Sequence, residues 1–140
     1  MMTRLLTGLL LIGLWSCSNS KESAQQAPAE TIWMVTQPVQ CLGNPWEEAW
    51  LLANDQKAAA YPRGEVRVVE AEEAAIIRQF FEDKGIAVYA VKGVPFPEGT
   101  MVCDACHCPQ GYDLYLQVHP DKQHQLQEEY GFKPTEAPHE

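Results

Sequence analysis

The sequence predicts an α+β fold, a small two-layer sandwich with helices packed on one face of a sheet. Three observations carry that prediction. Tyr112, Leu114, Leu116 and Val118 alternate with Asp113, Tyr115 and Gln117, the period-two pattern of a half-buried strand. Residues 70–84 place Ala74, Ile77 and Phe81 on one stripe, with Ile76 and Phe80 beside it, and stop at Gly85, so they read as an amphipathic helix with a glycine cap. Apolar runs at 66–69 and 86–91 flank that helix and complete a β-α-β unit. Strands and helices mixed in this order suit an antiparallel or mixed sheet covered on one side.

The remaining elements follow in chain order. Residues 31–39 are mostly apolar and β-branched and read as a first strand with Pro38 near its end. Asn44-Pro45 then opens a helix: Asn44 suits the N-cap, and Pro45 suits the first helical position, where a missing N–H costs nothing. Glu47 and Glu48, like Glu72 and Glu73 later, fall in a helical first turn, where the positive end of the helix dipole accounts for them. Trp46 and Trp50 lie four apart on one face, a core position or a docking surface, with core the better reading. Residues 54–64 read as a loop ending in the turn Tyr61-Pro62-Arg63-Gly64, and 93–99 as a second loop. A last helix spans about 120–130, closed by Gly131, and Pro134 prevents its return. A ferredoxin-like arrangement is the topology this order fits best.

Length and charge narrow the class. A 140-residue chain holds one small domain. Ten Lys and Arg face nineteen Asp and Glu, a formal charge of −9. Phosphate binding wants the opposite sign, so nucleic acid is excluded as a partner. No Gly-rich phosphate loop, nucleophile elbow or metalloprotease helix occurs in the sequence.

The N-terminus carries an address. Arg4 precedes an apolar run at 5–14, too short for a membrane span of about 20 residues, and Leu14-Trp15-Ser16-Cys17 follows. This resembles the signal and lipobox of bacterial lipoproteins, although Trp15 stands where that family has a smaller residue. The resemblance implies cleavage before Cys17 and acylation of Cys17, with residues 1–16 as signal and 17–30 as lipidated cysteine and flexible tether. Loss of Arg4 takes the formal charge to −10. The partner so implied is the lipid bilayer. Ser18, where an Asp would favour retention at the inner membrane, points to the outer membrane. The globular domain is expected at 31–133, with 134–140 a disordered tail.

The chemically loaded segment is Cys103-Asp104-Ala105-Cys106-His107-Cys108-Pro109, and Cys41 makes four cysteines besides Cys17. An exported chain with four such cysteines is expected to hold two disulfides. A Cys106–Cys108 ring is too tight. Two pairings stay open: Cys103–Cys106 with Cys41–Cys108, or Cys103–Cys108 with Cys41–Cys106. Three alternatives use the same residues. Cys103, Cys106 and His107 match the C-x-x-C-H attachment of c-type haem, with His107 as proximal ligand and His119, His124 or His139 as distal candidates. Cys103, Cys106, His107 and Cys108 could hold zinc or copper. Cys103-x-x-Cys106 could act as a redox pair, although a strand rather than a helix follows it.

Cys41-Leu42-Gly43-Asn44-Pro45-Trp46-Glu47, together with the Cys-x-x-Cys-x-Cys-Pro run, the Tyr-rich strand and Gly131-Phe132, resembles small uncharacterised bacterial envelope lipoproteins. The resemblance implies that Cys41 and the cluster form one structural unit and favours disulfides over haem. The expectation is a lipid-anchored envelope protein, non-enzymatic and without cofactor, doing binding or structural work with an envelope protein as partner.

Overall fold

Among the residues described by the computed structural model, 27–63 and 69–139, four strands and three α-helices build an α+β sandwich. In order they are β1 (Ile32–Thr36), α1 (Pro45–Ala53), α2 (Ala71–Asp83), β2 (Val88–Pro95), β3 (Tyr112–Val118), α3 (Gln123–Tyr130) and β4 (Lys133–Thr135). Short 3₁₀ turns at Ala58–Ala60 and Pro120–Lys122 complete the path. The sheet order is β2-β3-β1-β4, and every neighbouring pair is antiparallel. Both β1 and β2 oppose β3, so they run parallel to each other with β3 between them. That is the split β-α-β order of a ferredoxin-like sandwich, here with α1 and α2 both in the first crossover.

The alternation in β3 sets the layers. Tyr112, Leu114, Leu116 and Val118 are buried, and the residues between them are half-exposed. Met34 of β1 pairs with Leu116 and is fully buried on the same face. Ile77 and Phe81 of α2, Leu126 of α3, Trp46 of α1 and Phe132 cover these side chains. Each such burial contributes about 1.5–3 kcal/mol. Phe81 is the hub of the aromatic packing, with ring centroids 5.1 Å from Tyr130, 5.7 Å from Phe132 and 6.2 Å from Trp46. The opposite sheet face carries Trp33, Tyr115 and Lys92, with the Lys92 ammonium 5.9 Å from the Trp33 ring centre.

Several boundaries differ from those read off the sequence. The strand expected at 86–91 is Val88–Pro95. Ile86 is taken by the end of α2: Gly85 N–H bonds Glu82 C=O, and Ile86 N–H bonds Phe81 C=O, a Schellman closure with Gly85 at φ 75°. The loop expected at 93–99 therefore begins only after Pro95, which is the last residue of β2 and pairs with Tyr112. The register shifts between Val88 and Ala90, and the Arg78 Nε–H donates to Val88 C=O at 3.2 Å there. On α2 the buried stripe is Glu73, Ile77 and Phe81, with Glu73 where Ala74 was expected. The last helix divides into a 3₁₀ turn and α3. Past it, β4 runs two residues into the expected tail and pairs with β1. Of the strand expected at 66–69, only Val69 is described, and it belongs to no strand.

Candidate functional site

Two loops meet at one end of the sheet, and the cysteines sit where they meet. The first joins β1 to α1 and carries Cys41. The second joins β2 to β3 and carries Cys103, Cys106, His107 and Cys108. Cys41 is bonded to Cys106 and Cys103 to Cys108, one of the two pairings left open by the sequence. The Cys41–Cys106 bond closes 65 residues and ties the two loops together; Cys103–Cys108 closes five within one loop.

Hydrogen bonds fix the loops independently of sulfur. Gln40 N–H donates to Cys108 C=O at 2.9 Å, and Gln110 N–H donates to Pro38 C=O at 2.8 Å. The Gln40 side-chain amide donates to Cys103 C=O at 2.9 Å and to Pro109 C=O at 3.1 Å, clamping both ends of the cysteine loop. Val39 and Pro109 form an isolated antiparallel bridge beside these bonds. Cys41 and Leu42 both have left-handed backbone, at φ 61° and 57°, an unfavourable region for non-glycine residues that the surrounding contacts must hold.

Exposure divides the sulfurs. Cys41, Cys103 and Cys106 are exposed and Cys108 is buried. His107 is exposed, and one of its ring nitrogens lies with the Cys103 and Cys108 Sγ atoms in a group spanning no more than 4.8 Å. Cys103 and Cys106 belong to different disulfides, so the C-x-x-C pair is not itself a redox disulfide. Thioether attachment of haem at both would require both disulfides to open first. His119, His124 and His139, the candidate distal ligands, lie elsewhere: His119 caps the Pro120–Lys122 turn with Nδ1 2.8 Å from Asp121 Oδ1, and His124 and His139 are exposed. Cys17 lies outside the described residues.

A buried polar network backs the loops, and the sequence reading missed it by assigning its carboxylates to helix dipoles. Glu47 is fully buried. Its Oε2 accepts from Asn44 N–H at 3.0 Å and from the Asn44 side-chain amide at 2.7 Å. Its Oε1 accepts from Arg63 Nη2 at 3.0 Å and from Gln110 Nε2 at 3.1 Å. The same Gln110 amide donates to Val39 C=O, so Glu47 couples the start of α1 to both loops. The signal available in the sequence was the Asn-x-x-Glu spacing of a capping box, Asn44 to Glu47. Glu73, also buried, accepts from the Tyr61 hydroxyl at 3.2 Å. Burial, then the negative charges of Glu73 and Glu47, push the Tyr61 and Tyr112 hydroxyls well above the ordinary tyrosine range. Trp46 Nε1 and Tyr112 Oη have no hydrogen-bond partner among the described residues.

Trp46 belongs to the core. Trp50 is half-exposed and stacks edge-on to Tyr61 at 5.3 Å. With Phe80 and Ile76 it lines a shallow apolar groove of about 220 Å³ between α1 and α2. No helix among the described residues is long and apolar enough to cross a membrane.

Compared with known proteins, the chain matches no family model, no curated protein and no solved structure.

Proposed function

We propose that the chain is a lipid-anchored bacterial envelope protein, acylated at Cys17 and sorted to the outer membrane, whose disulfide-stapled domain does binding or structural work with another envelope protein and catalyses no reaction. The observation that carries the reading is Leu14-Trp15-Ser16-Cys17 behind Arg4 and the apolar run at 5–14. Two features of the domain support it. Of the chain's five cysteines, four are paired with one another, which leaves Cys17 as the one thiol for a lipid. Disulfides persist in oxidising compartments, where an exported lipoprotein resides.

Physical anchoring needs no protein span. Each buried methylene contributes about 0.8 kcal/mol, and two acyl signals suffice for stable membrane residence. The test is metabolic labelling with a palmitate analogue in an expressing bacterium. The chain takes up label and partitions into the detergent phase; Cys17→Ala abolishes both. Equal membrane association of the Cys17→Ala chain would contradict the proposal.

A further inference from the structure

We propose that Cys103, His107 and Cys108 form a three-coordinate site for a soft monovalent cation, Cu(I), once the Cys103–Cys108 disulfide is reduced. Three observations carry it. First, the two sulfurs and one imidazole nitrogen already lie within 4.8 Å of one another. A three-coordinate metal with bonds of about 2.3 Å to sulfur holds its donors roughly 4 Å apart. The two sulfurs are now bonded to each other, with their Cα atoms 5.6 Å apart, and opening the bond frees both side chains to rotate toward that spacing.

Second, the backbone of the cysteine loop does not depend on the bond. The Gln40 amide holds Cys103 C=O and Pro109 C=O, Gln40 N–H holds Cys108 C=O, and Cys108 N–H donates to Ala105 C=O at 2.8 Å. The reduced loop keeps its ligands facing one another, which is the preorganisation a metal site needs. Third, the donor set is soft. Two thiolates and a neutral imidazole select Cu(I) over hard cations. Cys106 is outside the set: the donor atoms that lie within 4.8 Å of one another are those of Cys103, His107 and Cys108.

The chemistry balances with a dithiol reductant. Its thiolate attacks the exposed Cys103 sulfur and releases Cys108 as a thiolate. The reductant's second thiol then resolves the mixed disulfide, so the reductant leaves oxidised and Cys103 and Cys108 remain as thiols. Cu(I) displaces one proton from each thiol, and His107 binds through the unprotonated ring nitrogen. The site thus exists in the reduced chain and is erased in the oxidised one. It does not depend on acylation of Cys17.

The test uses the full-length chain in detergent, titrated with Cu(I) against bicinchoninate, before and after phosphine reduction. The reduced chain is expected to take one Cu(I) per molecule, at least a hundredfold more tightly than the oxidised chain. Alkylation of the loaded, reduced chain should modify Cys41 and Cys106 and spare Cys103 and Cys108. His107→Ala should weaken binding at least tenfold while leaving the melting temperature of the oxidised chain unchanged. Protection spread over all four cysteines, or His107→Ala binding as tightly as the parent, would overturn the assignment.

Discussion

Replacing Glu47 by glutamine removes one charge and keeps the size of the side chain. In the parent, both carboxylate oxygens face two donors each: Asn44 N–H and Nδ2 on one, Arg63 and Gln110 on the other. Glutamine keeps one oxygen and turns an NH₂ group toward the other two donors. Two donors then lose their acceptor; each costs about 1–3 kcal/mol where it is buried. The two surviving bonds fall from the charged range of about 1.5–3 kcal/mol toward the neutral range of about 0.5–1.5 kcal/mol. These terms sum to about 4–9 kcal/mol, and the partial exposure of Arg63 places the loss toward the lower end, about 4–5 kcal/mol. At about 4 °C per kcal/mol for a domain of this size, the midpoint falls by roughly 16 °C or more. Equilibrium urea unfolding without reductant measures the loss directly. Arg63→Ala is the companion variant: it leaves the fully buried Glu47 carboxylate with three donors but without the cation that faces it, and should cost about 3–5 kcal/mol. A Glu47→Gln loss below about 1 kcal/mol would refute the view that Glu47 organises the junction.

Three further predictions concern the frame around the site. Removing the Cys41–Cys106 disulfide by paired serine substitution should cost about 4 kcal/mol, and removing Cys103–Cys108 about 2 kcal/mol, because the first closes 65 residues and the second five; urea midpoints of the two variants check the ranking. Alkaline pH should unfold the domain. The folded Tyr61 and Tyr112 hydroxyls titrate above the unfolded value near 10, so their contribution is complete below about pH 10 and is lost as pH rises beyond it, at about 1.4 kcal/mol per pH unit for each residue. Urea midpoints measured across that range should show the slope reduced in Tyr61→Phe. Gly93→Ala should destabilise by about 1–3 kcal/mol, since an added Cβ lies 2.6 Å from Val69 Cγ2; thermal melts of the variant would show whether that close approach holds in solution.

The sequence disclosed most where one physical signal acted alone. The alternation of Tyr112–Val118 follows directly from burial of one sheet face, and the strand has those bounds. Gly85 and Gly131 both take left-handed backbone at helix ends, as their positions implied. The misreadings arose where two signals competed. Ile86 has the side chain of a strand residue, but its N–H closes α2. Gly93 and Pro95 read as breakers, yet both lie in β2, opposite Leu114 and Tyr112 of β3. Lys133, Pro134 and Thr135 are all exposed, so β4 has no hydrophobic pattern to read; only pairing with β1 creates it. At the site, the four paired cysteines were legible from compartment and count. Which sulfur met which depended on loops brought together by Gln40 and Gln110, side chains that no local rule singles out. Glu47 and Glu73 looked like solvated first-turn acids because their partners lie up to 63 residues away in the chain.

The intact mass of the chain recovered from the membranes of a bacterium expressing the full-length gene, after iodoacetamide treatment without reductant, tests the central claim most directly. The account predicts a chain that begins at Cys17, carries the mass of its acyl groups and gains no alkyl group, because Cys17 is lipidated and the other four cysteines are paired. A chain that begins elsewhere, or that gains an alkyl group at an unlipidated Cys17, would contradict it.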